Sequence, residues 1–505
     1  MDIIGPILGG FAVVTTPGNL LAALLGALLG TVIGVLPGLG PTATIALLLP
    51  VTIGMDMIPA IVMLSGVYYG AMYGGSTTSI LINIPGEAAS VITCIDGYQM
   101  AKQGRAGPAL GMSAFGSFIG GTLGIVAVTL ISPQIARTAV KFGPPERFAL
   151  FFFALTLIGF LAGKSMVRGL LMGIIGLLLG VIGTDSIEGV DRFTFGTLYL
   201  RDGIGLLPLA IGLFGLGEIL YNIEQREQNV SVMETPKNLL PTRQDWRDSL
   251  TPIGRGSLIG FGIGVMPGGL PSVATLISYA LEKRLAKHPE RFGKGAIEGV
   301  AGPETANNAA TAVGFVPLLT LGIPTNSVLA LLLAAFMLHG VTPGPLLLFK
   351  YPDVFWGVVA SMYIGNVMLL VLNLPLIGLF VQILKTPYTI LSPLIIMFVL
   401  LGAYAVNNSV IDVFVTVLFG ILGYLLKRYS FEVAPLVLAF VLGPMMETSF
   451  RQALVMSPTN SISIFFTRPI SAPILILSIV VLFLPLILKL FRRISVLGLR
   501  DSEKL

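Results

Sequence analysis

The chain has 505 residues, of which 54% are hydrophobic and only 11% are charged. Soluble globular proteins carry about 25% charged residues, so this composition excludes an ordinary soluble protein. The net charge of +5 fits basic cytoplasmic loops rather than a surface that binds nucleic acid. With one cysteine, Cys94, and two histidines far apart, the chain offers neither a disulfide framework nor a cysteine-based or HExxH metal site, and we expect no cofactor.

Long runs without charge indicate membrane spans. No Asp, Glu, Lys or Arg occurs in residues 3–55 or 305–349. About 20 apolar residues span a bilayer, so we predict an all-α polytopic membrane protein with about 12 spans. The N-terminal segment lacks the basic residues of a signal peptide and is interpreted as a retained span. The 61 glycines and 33 prolines predict interrupted helices, including two re-entrant or broken helical hairpins.

One stretch resembles a soluble linker. Residues 221–255 have mixed charges and contain Trp246, unlike the apolar segments on either side. We therefore predict three parts: a transmembrane half over residues 1–220, a cytoplasmic linker over 221–255, and a second transmembrane half over 256–505.

The two halves contain related segments. GALLGTVIGVLPGLGP (residues 26–41) and GSLIGFGIGVMPGGLP (residues 256–271) are identical at nine of 16 positions, at an offset of 230. Average residue usage would give about two matches by chance. A weaker similarity relates NIPGEAAS (83–90) to GIPTNSVL (322–329), at an offset of 239. The sequence therefore predicts an internal repeat.

Loop charges predict how the repeats are oriented. The connection after the first segment carries only Asp56, whereas the second is followed by Lys283, Arg284 and Lys287. Basic loops face the cytoplasm, so matching elements are expected on opposite sides, as in an inverted-topology repeat. The basic tail around Arg492 places the C-terminus in the cytoplasm, and the side of the N-terminus stays open.

The duplicated Pro/Gly segments are the first candidate site. Proline and glycine interrupt a helix, and the helix that restarts presents free N–H groups at membrane depth. Secondary transporters hold anionic substrates at such helix starts and cations at unwound carbonyls. The alternative is a pair of ordinary proline kinks, which the duplication disfavours. The candidate residues for substrate or ion binding are Pro37, Gly38, Gly40, Pro41, Thr42, Thr44, Pro267, Gly268, Gly269, Pro271 and Ser272.

The segments around the two IPx motifs are the second candidate site. Their hydroxyl and amide groups suit a carboxylate or a hard cation such as Na⁺. Serine and threonine also pack helices and bond their own carbonyls, which is the alternative. The candidates are Ser76, Thr77, Thr78, Asn83, Gly86, Thr325, Asn326 and Ser327.

A third candidate lies in AGPETANNAA, at the edge of a charge-free run. Polar groups within a membrane are costly and are usually functional. Asn307 and Asn308 are predicted to contact the ion or substrate. Glu304 either joins them or lies at the interface and caps a helix start near Thr305.

Several long motifs closely resemble the large membrane subunit of tripartite tricarboxylate transporters. They are GVLPGLGPTATIALLLP, YYGAMYGGSTTSILINIPGE, DGYQMAKQGRAGPALG and LEKRLAKHPERFGKGAIEGVAGPETANNAATAVGFVPLLTLGIP, and the resemblance covers residues 19–468. It implies a bacterial inner-membrane symporter for small carboxylates that is driven by Na⁺ or H⁺. It also implies an elevator-type fold, a small membrane subunit and a periplasmic substrate-binding protein. Thr325 stands where the family favours glycine, and MPGGLPS differs from the more usual form of that motif. Because both departures lie in the predicted site, the resemblance implies the identity of the substrate least of all these properties.

The resemblance, together with the inverted repeat and the broken helices, implies an elevator-type permease subunit that imports a tricarboxylate or dicarboxylate with a coupling cation, in contact with membrane lipid and its partner subunits. One alternative is a stand-alone ion-coupled exchanger that needs no binding protein. An intramembrane enzyme is disfavoured because paired aspartates, HExxH and Ser/His arrangements are lacking, and a passive channel because twin broken helices are typical of alternating access. The carboxylate, the cation, its stoichiometry and the oligomeric state stay open.

Overall fold

The computed structural model describes residues 3–36, 39–161, 165–185, 187–225, 236, 238–384, 388–458 and 460–483. Within these ranges the fold is almost entirely helical, which confirms the all-α prediction. The two strands described, β1 (Gly183–Thr184) and β2 (Asp191–Arg192), form one short antiparallel pair.

The helices follow one another with short connections. In chain order they are α1 (Ile4–Val14), α2 (Pro17–Val35), α3 (Gly40–Thr52), α4 (Met57–Ile82), α5 (Val91–Met100), α6 (Ala106–Ala139), α7 (Pro144–Leu161), α8 (Met166–Gly180), α9 (Leu206–Ala210), α10 (Gly217–Gln225), α11 (Arg243–Gly264), α12 (Pro271–Leu285), α13 (Glu298–Val313), α14 (Phe315–Leu321), α15 (Ser327–Leu338), α16 (Leu347–Lys350), α17 (Pro352–Asn373), α18 (Ile377–Leu384), α19 (Tyr388–Asn407), α20 (Val410–Arg428), α21 (Ala434–Met456) and α22 (Ile464–Thr467). A further apolar helix spans Ser471–Phe483.

Seven helical stretches in the described part of the chain are long and apolar enough to cross a membrane. They are Pro17–Val35, Met57–Ile82, Ala88–Ala139, Leu206–Gln225, Pro352–Asn373, Ile390–Asn407 and Val410–Arg428. The chain is therefore a polytopic membrane protein, as predicted. The count of about 12 spans and the elevator architecture stay predictions.

The chain divides into two compact units. The first unit comprises Met1–Val140 and Ile204–Val433, and the second comprises Lys141–Gly203 and Ala434–Leu505. All candidate site residues belong to the first unit. The predicted boundaries at 220 and 255 were drawn from sequence similarity, which compactness does not test, so they stay a prediction.

The predicted linker is partly helical. Within 221–255, residues 226–235 and 237 lie outside the described residues. Helix α11 begins at Arg243 because the Thr242 side chain accepts a hydrogen bond from the Asp245 backbone N–H, while the Asp245 side chain accepts one from Thr242. This capping box satisfies two helix-terminal donors and explains why a helix begins inside a charged stretch.

Glycines on one face of α2 bring it very close to α4. A Cβ atom added at Gly26, Gly30 or Gly34 would lie 2.2–2.4 Å from a backbone carbonyl oxygen of α4. Residues spaced by four share a helix face, and small residues allow membrane helices to approach closely. Larger residues at these positions would force the helices apart.

Helices α11 and α13 pack in the same way. A Cβ atom at Gly256, Gly260 or Gly264 would lie 2.4–2.5 Å from a backbone carbonyl oxygen of α13. Each of these glycines stands 230 positions after one of the three in α2. The contacted residues in α13 are Gly302, Ala306 and Ala310, which stand 239 positions after Met63, Val67 and Ala71 in α4. The two helix pairs thus pack through corresponding positions.

Candidate functional site

Both Pro/Gly segments lie where one helix has ended and another begins. Pro37 and Gly38 fall outside the described residues. Helix α3 starts at Gly40, whose φ of +49° favours glycine, and Pro41 occupies its first turn, where proline is tolerated. A break therefore separates α2, which ends at Val35, from α3, which starts at Gly40.

The second segment turns more tightly. Gly268 has a φ of +76°, and a Cβ atom on Gly269 would lie 1.9 Å from the carbonyl oxygen of Ile263. Pro267 lies in this turn. Helix α12 then starts at Pro271, with Ser272 in its first turn. Glycine is required here because the chain folds back against its own preceding helix.

The start of α3 meets the start of α15. The Thr42 hydroxyl lies 3.1 Å from the Ser327 hydroxyl, although the two residues are far apart in the sequence. Asn326 caps α15, because its Oδ1 accepts a hydrogen bond of 3.0 Å from the Leu329 backbone N–H. Thr44 differs in that its hydroxyl donates to the Gly40 carbonyl within its own helix. Two helix N-termini, each with the positive end of its dipole, therefore meet at one place.

The helix before each IPx segment ends at a residue with a left-handed backbone conformation. Asn83 follows α4 with a φ of 60°, and Gly322 follows α14 with a φ of +71°. Gly86 is buried, and a Cβ atom there would lie 2.0 Å from the Gly34 carbonyl oxygen. The Asn83 side chain is exposed, so its structural role is the helix end, where asparagine tolerates this conformation.

Glu304 lies in the interior of the first unit and is only 1% exposed. The Ser76 hydroxyl lies 2.7 Å from both of its carboxylate oxygens, and the Ser117 hydroxyl donates to Oε2 at 3.2 Å. The Thr93 hydroxyl donates to Oε1. Helices α4, α5 and α6 thus each contribute a hydroxyl to a carboxylate on α13. Since α13 begins at Glu298, Glu304 does not cap a helix start, and that alternative is wrong.

A second carboxylate lies beside it. Glu87 is 9% exposed and caps the short turn Ala88–Ser90, where its Oε2 accepts a hydrogen bond of 2.7 Å from the Ala89 N–H. Its Oε1 lies 3.5 Å from Asn307 Nδ2. The Asn307 Oδ1 is buried and has no hydrogen-bond partner in the described part of the chain. Asn308 instead donates weakly, at 3.2 Å, to the Glu304 carbonyl.

These two carboxylates have no basic partner among the described residues. The ion pairs found there join other residues, mostly in loops and at helix ends. A buried ionised carboxylate without a counter-charge is costly, even when hydroxyls bond to it. The two carboxylates can therefore bind a proton or a cation.

The remaining candidates are distributed around the break before α15. Asn326 Nδ2 donates to the Tyr68 hydroxyl at 2.9 Å. Thr325 is buried, and its hydroxyl has no partner in the described part of the chain. Thr78 donates to the Val35 carbonyl at 2.8 Å and so ties α4 to the end of α2. Thr77 is buried beside it.

Sequence reasoning missed several members of this site. It proposed Ser76 and Glu304 but not Thr93 or Ser117, which complete the carboxylate's hydrogen bonds. It assigned no role to Tyr68 or Glu87. Glu87 could have been found, because an acid directly after a proline break in an otherwise apolar stretch is unusual.

The comparisons with known proteins agree with the predicted family. The sequence profile of the tripartite tricarboxylate transporter TctA family matches residues 20–438. An uncharacterized 52.8 kDa protein in the TAR-I ttuC' 3'region of Agrobacterium vitis is 47% identical over 475 residues, which is 94% of each chain. An uncharacterized protein in the TAR-II ttuC' 3'region of the same organism is 51% identical over 225 residues, covering 45% of this chain and 93% of the relative. No solved structure matches. The chain therefore belongs to the tripartite tricarboxylate transporter TctA family, as a multi-pass membrane subunit.

Proposed function

We propose that this chain is the permease subunit of a binding-protein-dependent secondary transporter that imports a small carboxylate together with a cation. The observation that carries the proposal is the meeting of the α3 and α15 N-termini, where the Thr42 and Ser327 hydroxyls lie 3.1 Å apart. Helix N-termini attract anions through free N–H groups and the helix dipole. Hydroxyl donors between two such ends suit a carboxylate group, which needs no buried lysine or arginine there.

The cation coupling rests on the two buried carboxylates. An anionic substrate that enters this unit would bring its negative charge close to the negative charges of Glu304 and Glu87. Co-transport of Na⁺ or H⁺ would offset that charge, since oxygen-rich groups are the preferred ligands of hard cations. The Ser76 hydroxyl and the amides of Asn307 and Asn308 supply further oxygens nearby.

The proposed mechanism is an elevator-type alternating access with inverted repeats. Its support is the corresponding glycine packing of α2 on α4 and of α11 on α13, together with the opposite loop charges. Transporters built from such repeats place the substrate at interrupted helices near the middle of the membrane.

The family implies two partners, a small membrane subunit and a periplasmic binding protein, and a location in the bacterial inner membrane with the C-terminus in the cytoplasm. The binding protein would capture the carboxylate and deliver it to the permease. A stand-alone exchanger is the competing function, and it differs in needing no delivery protein.

The site is tested by uptake into proteoliposomes that contain the permease and its partner subunits. The variant Thr42→Val with Ser327→Ala removes both hydroxyls and keeps similar side-chain volumes. We expect its uptake of labelled di- and tricarboxylates to fall at least about tenfold, which corresponds to about 1.4 kcal/mol. The exposed residue Arg243 provides the control, and Arg243→Ala should transport at the wild-type rate. Equal rates in the double variant and the control would contradict the proposed site.

A further inference from the structure

The offset of 239 relates the two capping residues that follow the IPx breaks. Glu87 corresponds to Asn326, and their backbones match, with φ and ψ of −148° and 168° in one and −152° and 176° in the other. Each side chain accepts a hydrogen bond from the turn that it caps, Glu87 from Ala89 N–H and Asn326 from Leu329 N–H. The two residues therefore perform the same local task.

Their second polar atoms also face corresponding residues. The same offset relates Tyr68 on α4 to Asn307 on α13. Asn326 Nδ2 donates to the Tyr68 hydroxyl at 2.9 Å, and Glu87 Oε1 lies 3.5 Å from the Asn307 amide. Each cap thus reaches from its own half of the repeat to the long helix of the other half.

The two caps differ in what they can donate. An asparagine amide has one acceptor atom and one donor atom, whereas an ionised glutamate has only acceptors. Asn326 uses both of its atoms. Ionised Glu87 accepts hydrogen bonds from the Ala89 and Ser90 backbone N–H groups and, at 3.5 Å, from the Asn307 amide, but the buried Asn307 Oδ1 lacks a donor in the described part of the chain.

A single proton on Glu87 supplies the donor that the Asn307 Oδ1 lacks. A protonated Glu87 keeps its acceptor towards Ala89 and gains an O–H donor, which is the hydrogen-bonding pattern of Asn326. Rotation of the Asn307 amide then turns Oδ1 towards that donor, and amide orientation follows the surrounding hydrogen bonds. Protonation also removes one of two neighbouring buried negative charges.

We propose that Glu87 binds and releases a proton during transport, so that a proton is one of the coupling ions. The proposal rests on the proposed function and specifies its cation. Glu87 Oε1 takes a proton from water when the site opens to the outside, forming an O–H bond. The carboxylic acid returns that proton to water when the site opens to the cytoplasm, so that one proton crosses per cycle.

The groups around Glu87 favour it over Glu304 as the proton carrier. Glu304 accepts hydrogen bonds from three hydroxyls, and Glu87 accepts them from the Ala89 and Ser90 backbone N–H groups. Glu87 differs because the amide of Asn307 lies beside it, and the buried Oδ1 of that amide, which lacks a donor in the described part of the chain, can accept a hydrogen bond from a carboxylic acid. Besides Glu304, the titratable groups on the helices near Glu87 are Tyr68 on α4 and, on α5, Asp96 and Cys94, which is of intermediate exposure.

Asp96 is occupied elsewhere. Its carboxylate accepts hydrogen bonds from the backbone N–H groups of Gly293, Gly295 and Ala296 and from the Tyr279 hydroxyl of α12. Glu282 on α12 pairs with Arg255. None of these described groups offers Glu87 a counter-charge.

The test compares two modes of transport in proteoliposomes that contain the whole complex. Net uptake of labelled carboxylate is driven by a pH gradient, acidic outside, with Na⁺ equal on both sides. Exchange of labelled for unlabelled carboxylate is measured without any gradient. Glu87→Gln mimics the protonated side chain, and Glu290→Gln, at a position where the side chain is 64% exposed, is the matched control.

We expect Glu87→Gln to keep exchange within about twofold of the wild type while losing stimulation by the pH gradient. The control should keep both. Retained stimulation in Glu87→Gln would overturn the proposal, as would loss of exchange in a variant that assembles normally, because a residue that works when protonated tolerates glutamine.

If the Glu87→Gln variant does not assemble, the variant Asn307→Leu tests the proposal instead. Leucine can neither accept a hydrogen bond from protonated Glu87 nor donate one to ionised Glu87, so the pH of half-maximal uptake should move away from its wild-type value by about one unit. An unchanged pH profile overturns the proposal. Wild-type uptake driven by Na⁺ alone, with no effect of pH, defeats this inference and leaves the proposed function standing. No binding-protein-dependent uptake under any gradient defeats the proposed function itself.

Discussion

Gly260 in α11 is the position where one methyl group should most clearly disturb the site. A Cβ atom there would lie 2.4 Å from the Ala306 carbonyl oxygen and 2.7 Å from the Ala309 Cβ. Relieving the first contact to 3.0 Å requires α11 and α13 to separate by about 0.6 Å, since both atoms belong to helical backbones or short side chains.

The cost follows from packing. Overpacking of this kind destabilises proteins by about 1–3 kcal/mol, while replacing glycine by alanine within a helix gains up to about 1 kcal/mol in helix propensity. Gly262 lies in the same helix, and a Cβ atom there meets nothing within 4 Å. Gly262→Ala should therefore be neutral or stabilising, and Gly260→Ala should be less stable than it by about 1–3 kcal/mol.

The two variants can be compared by thermal unfolding of the purified chain in one detergent, followed by carboxylate uptake. We expect a lower midpoint temperature for Gly260→Ala than for Gly262→Ala. We also expect reduced uptake in Gly260→Ala, because a shift of α13 lengthens the 2.7 Å contacts between Ser76 and Glu304. Equal midpoints would refute the close packing of α11 on α13 and the helix positions derived from it.

Three further predictions concern single side chains. Thr93→Val removes a hydroxyl from Glu304 at constant shape and should lower stability by about 1–3 kcal/mol in thermal unfolding, whereas Thr93→Ser should stay near the wild type. Asn326→Ala removes the cap of α15 and should cost about 1 kcal/mol and most of the uptake, and Asn326→Asp should recover stability but not uptake. In the second unit, the backbone N–H of Glu188 and the Arg451 guanidinium hold the pKa of Asp185 below its ordinary value of about 3.9, so its ionised form stabilises the fold above that pH. The midpoint temperature should therefore fall as the pH drops below about 4, and Asp185→Asn should flatten this dependence.

The helix breaks could be predicted from the sequence because their causes are local. Proline removes a backbone hydrogen-bond donor and glycine permits a left-handed backbone conformation, so LPGLGP and MPGGLP indicate where α3 and α12 begin. The glycine spacing in α2 and α11 is also visible in the sequence. The helices that these glycines contact cannot be identified from the sequence, because the glycines meet backbone carbonyl groups, which every residue has.

The hydrogen bonds of Glu304 could not be predicted. Thr93 and Ser117 lie on two helices more than 180 residues before it in the chain, and they reach the carboxylate only because four helices pack together. For Asn83, the predicted contact with a ligand stays a prediction. The structure adds that its side chain is exposed and that its left-handed backbone ends α4, which the letters around it did not indicate.

The most direct test of the account is carboxylate uptake by the complete three-part complex in proteoliposomes, with and without the binding protein and with ionophores that collapse the H⁺ and Na⁺ gradients. The account predicts accumulation above equilibrium that requires the binding protein and disappears when both gradients are collapsed. Accumulation that persists without either gradient would contradict secondary transport by this chain.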